Sequence, residues 1–226
     1  MTTETAKSVE IGAATTVTLQ VYGELTLRQG PSPELRIVGD PELVAKAHAE
    51  SHGDTVELTL GRDWIERVAS GFAILGNRPL RYELTLPSVR RLEIAGRGRL
   101  DVEGLEAESF VVKVTGLADG SLRGLALGEL DVEIAGRAEL TLAGRAGRQR
   151  LRVSGSAELD AFELASDEAD VTISGHGEAN VAVARALTAR IAGYGHVTYD
   201  GDPTVDESVS GGGSVRRRDA PAAQTS

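Results

Sequence analysis

The stretch IAGRAELTL, Ile134–Leu142, couples a glycine turn to an alternating apolar run, and its meaning comes from its recurrence. Related copies are IAGRGRLDV from Ile94, VTGLADGSL from Val114, VSGSAELDA from Val153, ISGHGEANV from Ile173, IAGYGHVTY from Ile191 and VSGGGSV from Val209. Their first glycines, Gly96, Gly116, Gly136, Gly155, Gly175, Gly193 and Gly211, lie 20, 20, 19, 20, 18 and 18 residues apart by subtraction. A near-constant pitch over seven copies marks a stacked repeat.

Within each copy the apolar residues alternate. Leu130, Val132, Ile134, Gly136, Ala138, Leu140 and Leu142 share one face, as do Leu92, Ile94, Gly96, Gly98, Leu100 and Val102. Period two means strands. Small residues midway along an aliphatic strand mark a bend or a close approach of backbone, so each Gly-x-Gly/Ala reads as a corner. About 20 residues at roughly 3.3 Å per strand residue leaves room for two short strands and two turns. That is one coil of a parallel β-solenoid, and about seven such coils of 18–20 residues are expected.

Stacking in register places equivalent residues about 4.8 Å apart. Three positions before each glycine stand Glu93, Lys113, Glu133, Arg152, Thr172 and Arg190, whose signs alternate over the first four as a ladder of neighbours favours. One position before it are Ala95, Thr115, Ala135, Ser154, Ser174, Ala192 and Ser210, all small, which suggests crowding at the corner. Three positions after it come Arg99, Asp119, Glu139, Glu158, Glu178, His196 and Ser214. Asp119, Glu139, Glu158 and Glu178 would form an acidic column, a candidate metal site, because like charges so stacked repel or recruit a cation. The plainer reading is a solvated stripe partly offset by Arg97 and Arg137.

Before the repeats, TTVTLQVYG, ELTLRQG and ELRIVG read as strands. GDPELVAKA reads as a short helix with Asp40 as N-cap and Pro41 at the first helical position. HGDTVELTL is a turn into a strand, and RDWIERVASGFAILGNRP is the longest irregular connection. In it Trp64, Ile65, Val68 and Phe72 are expected to cap an end of the stack, covering core and strand edge. The expected organisation is a disordered N-terminus (1–7), one domain (8–216) and a disordered tail (217–226). That domain divides into an irregular β-rich N-terminal part with one short helix and cap (8–90) and the regular repeats (91–216).

The GDPELV…HGDTVELTL segment, the run LTLPSVRRLEIAG and the serial [IV]-[AST]-G-x-[GA]-[DE] corners resemble the bacterial auto-transporter adhesin head, or GIN domain, family. The related toast-rack domains are similar. The resemblance covers roughly residues 8–216. It implies a β-solenoid head of the cell envelope, adhesive or serving as an assembly platform, and carries over no catalytic residue.

Composition narrows the function classes. A net charge of −10, from 24 basic and 34 acidic side chains, argues against a nucleic-acid or anionic-membrane binder. Without cysteine there is no disulfide, thiolate nucleophile or cysteine zinc site. No run reaches the roughly 18 apolar residues of a membrane helix, and the first residues show no export signal, so a cytoplasmic location is compatible with the sequence and an envelope location rests on the resemblance. Phosphate loops lead into a helix N-terminus, whereas these corners lead into strands. Ser174 precedes its glycine as Ala, Thr or Ser does in the other copies, so it is a turn residue and no nucleophile elbow. Retaining glycosidases separate their carboxylates by about 5–5.5 Å, which keeps a polysaccharide-acting β-helix enzyme as an alternative, though no long insertion builds a cleft and aromatics are only 4% of residues. His48, His52, His176 and His196 are scattered. The expectation is a non-enzymatic bacterial binding module without cofactor or membrane insertion, offering repeat-built faces to a protein or glycan. Its non-enzymatic alternative is an intracellular or sub-membrane scaffold self-associating through its terminal coils.

Overall fold

The computed structural model describes residues 4–20, 22–60 and 79–218. Its N-terminal part holds β1 (Thr5–Val9), β2 (Thr16–Leu19), β3 (Tyr22–Gln29), β4 (Glu34–Gly39), α1 (Pro41–Lys46), β5 (Ala47–His52), β6 (Thr55–Leu60) and β7 (Leu80–Leu86). The repeats give β8 (Arg91–Ile94), β9 (Arg97–Glu103), β10 (Glu106–Val114), β11 (Leu117–Ile134), β12 (Arg137–Val153), β13 (Ser156–Ile173), β14 (His176–Ile191), β15 (Tyr194–Asp200), β16 (Thr204–Val209) and β17 (Gly212–Arg217). Parallel pairing of successive repeats builds a β-solenoid of about six turns.

Each corner is made the same way. The strand breaks for two residues at Thr115–Gly116, Ala135–Gly136 and their equivalents. The Ile94 carbonyl accepts from the N–H groups of both Thr115 and Gly116, and the Gly96 carbonyl accepts from Leu117 at 2.9 Å. That oxygen therefore points along the stack, beneath the next glycine. A Cβ on Gly116 would overlap Gly96 O and lie 2.6 Å from Ala95 O, and the same overlap recurs at Gly136, Gly155, Gly175, Gly193 and Gly211. None of these glycines has a positive φ, so the demand is for space. The small residue before each glycine is exposed; in Ser154 and Ser174 its hydroxyl donates to the Ile134 and Val153 carbonyls.

Between corners the chain does not divide into two short strands. β11 to β13 each run 17 or 18 residues without a break. The inter-coil ladder carries the backbone around the far bends, and bulges absorb differences in coil length. Gly124, at φ +64°, takes one such bend in a conformation glycine tolerates best. Where β13 passes β14, pairing jumps from Ala161↔Val181 to Ala165↔Ala182. There the Ala182 carbonyl accepts from Ser166 Oγ at 2.8 Å and from the buried Gln149 Nε2 at 3.3 Å. These side chains solvate a carbonyl at the bulge from inside the core.

Inward residues form continuous columns. One runs Val56, Val17, Leu92, Val112, Val132, Leu151, Val171 and Ala189, all fully buried, and ends at the exposed Glu207. Another carries Leu58, Leu19 and Ile94 through Ile191 to Val209. Beside each corner the inward position is small: a Cβ on Gly98 would meet Leu19 Cδ2 at 2.8 Å, because the large residue before the corner fills that space.

The N-terminal part is less irregular than its sequence suggests. β2 and β3 form a rung on β8 and β9, and β6 and β7 form a further rung on β2 and β3, all parallel. This end is closed by antiparallel strands: β5 lies on β6, β4 on β7 and β1 on β4. α1 starts at the Asp40 cap, whose Oδ1 accepts from Glu42 N at 2.9 Å, and buries Leu43 and Val44. Residues 5–7 are thus in a strand rather than disordered, because β4 has an edge free to pair them and Glu4 meets Arg81 at 2.8 Å. β17 extends through Arg217, one residue beyond the expected boundary. The cap assigned to Trp64, Ile65, Val68 and Phe72 lies outside the described residues, as does the tail from 219.

Replacing Gly136 with alanine inserts a methyl group into the corner ladder and is expected to lower stability by about 3 kcal/mol. Gly12→Ala meets nothing within 4 Å and should be neutral or stabilising by up to about 1 kcal/mol through the unfolded chain. Urea denaturation of both variants checks this, and equal stabilities would refute the steric account of the corner.

Candidate functional site

One outer face, built from the first halves of the turns, carries three columns on neighbouring outward positions, the one farthest from the corners holding Asp101, Ser121, Thr141, Asp160 and Asn180. Its middle column runs Arg81, Glu24, Arg99, Asp119, Glu139, Glu158, Glu178, His196 and Ser214, each paired in register with the next. Asp119, Glu139, Glu158 and Glu178 are therefore side by side. Charge alternates over the first four residues and then gives way to carboxylates alone.

Asp119 is neutralised: Arg99 Nε donates to it at 3.1 Å, and this hydrogen bond raises the Arg99 pKa. Glu139, Glu158 and Glu178 are exposed and make no ion pair among the described residues. At the column's end His196 Nδ1 lies 2.9 Å from Ser214 Oγ. These carboxylates line a shallow groove of about 480 Å³ together with Arg97, Leu117 and Arg137. Glu24, Arg99, Asp101, Ser121 and Arg123 border a second hollow of about 780 Å³, which shares Asp119 and Glu139 with it. Among the described residues, no group of three or more His, Asp or Glu is arranged to hold a metal ion.

The column just after the corners holds Arg97, Leu117, Arg137, Ser156, His176, Tyr194 and Gly212. Here His176 stacks on Tyr194 with ring centroids 5.3 Å apart, and Arg97 lies over the Tyr22 ring. Tyr194 is 65% exposed. Sequence reasoning applied the register to the carboxylates and not to this column; the same 18-residue offset would have found the aromatic pair.

The second halves of the turns present a contrasting face. Arg150 reaches Glu129 at 2.6 Å and Asp131 at 3.1 Å, while Arg152 reaches Asp131 at 2.9 Å and Glu133 at 3.1 Å. Glu168 lies between Arg148 and Arg185, and the Arg148 hydrogen bond holds its carboxyl below the usual range. The ladder Glu93, Lys113, Glu133, Arg152, Thr172 and Arg190 belongs to this face in the expected register. Here acids are matched with bases, as structural pairing requires.

No curated protein matches the sequence. Among solved structures, a putative adhesin from Bacteroides fragilis superposes with a TM-score of 0.87 at 18% identity, covering 96% of this chain and 97% of its own. A putative adhesin from Parabacteroides distasonis gives 0.71 at 16% identity over 96% and 97% of the two chains. A putative lipid binding protein from the same species gives 0.66 at 20% identity over 96% and 97%. At these identities the likeness is one of fold. The family model described as "Putative auto-transporter adhesin, head GIN domain" matches residues 14–203, and the chain belongs to that family.

Proposed function

We propose that this chain is a non-enzymatic, adhesin-like binding module of the bacterial cell envelope, and that the face bearing Glu139, Glu158 and Glu178 holds its protein or glycan partner. The observation that carries this reading is the contrast between two faces of one stack. Charges on one face are matched across rungs, whereas three successive carboxylates on the other have no cation paired with them among the described residues. Like charges held about 4.8 Å apart oppose folding, and a partner that complements them relieves that repulsion.

The groove suits recognition better than turnover. A carboxylic acid catalyst depends on an environment that excludes water and sets its protonation, and Glu139, Glu158 and Glu178 all stand exposed on an open surface. Family membership and the adhesin-like neighbours support the binding role and the envelope.

External protease applied to intact host cells is expected to remove the protein. Protection, with recovery in the soluble cytoplasmic fraction, would set the envelope role aside. The double substitution Glu139→Gln/Glu158→Gln is expected to leave the fold intact and raise stability by about 0.5 kcal/mol at low ionic strength, a gain that about 1 M salt screens out. Thermal melts at the two salt concentrations, in metal-free buffer, measure it. A clear loss of stability would mean that the column is paired in solution and is no free recognition surface.

A further inference from the structure

The two ends of the stack are built differently. At the first, antiparallel strands cover the terminal rung, and a helix packs against two of them, β1 and β4. At the last, β16 pairs only with β14 and β17 only with β15, leaving an edge with no strand beyond it among the described residues. The core columns stop there at Val205, Val209 and Val215, with Val209 41% exposed. An edge of this kind is a template for another strand.

We infer that two copies of this chain pair tail to tail through this last rung, about a two-fold axis near Gly212. The sequence of the rung carries the argument. Its first strand, TVDESV, is acidic and its second, GGSVRR, is basic, so antiparallel pairing of β16 with β17 of a second copy sets opposite charges together. In the register centred on Gly212, Val209 faces Val215 of the second copy and Glu207 faces Arg217 of the second copy. All four occupy inward positions, in register with Ile191, Val197, Ala189 and Tyr199 of the rungs above. Glu207 and Arg217 would deter indiscriminate edge pairing, since inward-pointing charges blunt an edge; the two-fold arrangement is the one that matches them. Among the described residues of one chain, Arg217 forms an ion pair only with the exposed Asp202, at 3.3 Å, a contact of small worth.

The axis position is supported independently by Tyr194. Its ring lies over Gly212, where a Cβ would come within 2.7 Å of Cδ1, and it is the most exposed large hydrophobic residue described. Pairing at Gly212 covers both copies of this ring. A head-to-tail assembly has no such fit, because the first end presents antiparallel strands, and an isologous contact closes at two copies. The contact is separate from the groove proposed to hold a ligand.

Sedimentation of the full chain over a dilution series tests the inference. A monomer–dimer equilibrium is expected. Glu207→Arg sets like charges together and should weaken the dimer at least tenfold, and Glu207→Arg/Arg217→Glu should restore it. Because Glu207 is exposed, its substitution should leave circular dichroism unchanged, and the restored dimer separates a lost contact from a failed fold. Glu139→Gln/Glu158→Gln should leave the dimer as it is. A monomer at all concentrations, a mass growing beyond two copies, or a dimer indifferent to Glu207→Arg would overturn the proposal.

Discussion

The carbonyl oxygen of each corner glycine has two neighbours in the next rung: the N–H it must bond and the Cα it must clear. The Gly96 oxygen accepts from Leu117 while lying where a Gly116 side chain would begin. Stack, register and pitch all follow from that coincidence. A corner can turn sharply and keep its ladder only if the next rung has glycine there, so the requirement propagates from Gly116 to Gly211. Register then fixes the faces, because a slip of one residue along a strand would send every inward side chain outward. The acidic column and the aliphatic core are two consequences of one steric rule.

This rule made the repeats legible from sequence. Corner glycines, alternation and the Glu93–Lys113–Glu133–Arg152 ladder all require local pattern and constant pitch only, and the strand pairings follow them residue by residue. The N-terminal rungs escaped because their order in space departs from their order in the chain: β2 and β3 lie between rungs formed by residues far downstream. Their corner also lacks the glycine motif, with Gln20 following Leu19. β1 escaped for another reason. TAKSV has too little apolar character to announce a strand, and only the free edge of β4 gives it one. Bulges at Ala161–Ala165 depend on the length of the neighbouring turn, which one repeat cannot show by itself.

The candidate site was legible to the same extent. Pitch alone brings Glu139, Glu158 and Glu178 together, since each is three residues beyond its corner. What pitch does not give is the pairing state. Arg97 and Arg137 stand in the adjacent column, yet neither forms an ion pair with these carboxylates, whereas Arg150 and Arg152 sit one rung from Asp131 and reach it. The difference lies in what stands across the rung. Arg150 and Arg152 face Asp131 and Glu133 directly, whereas Glu139 faces Asp119 and Glu158, and Glu158 faces Glu178. Acids stacked upon bases become structure, and acids stacked upon acids remain available.

A stacked fold also faces a problem at its ends that its middle never meets. Every interior rung satisfies its backbone with neighbours above and below, so adding rungs brings no new exposed edge, and a stop must be encoded separately. At the first end the chain reverses direction, and an antiparallel strand accepts the ladder without offering a further parallel one. At the last end the stop is written in side chains. The column that has been Val, Leu or Ala for eight rungs becomes Glu207, and the one occupied by Val197 and Tyr199 becomes Val215 and Arg217. Charge at these positions makes continuation by an unmatched strand unfavourable, since a buried carboxylate without a partner is costly. It leaves open continuation by a strand that brings the opposite charge, and the rung itself contains such a strand.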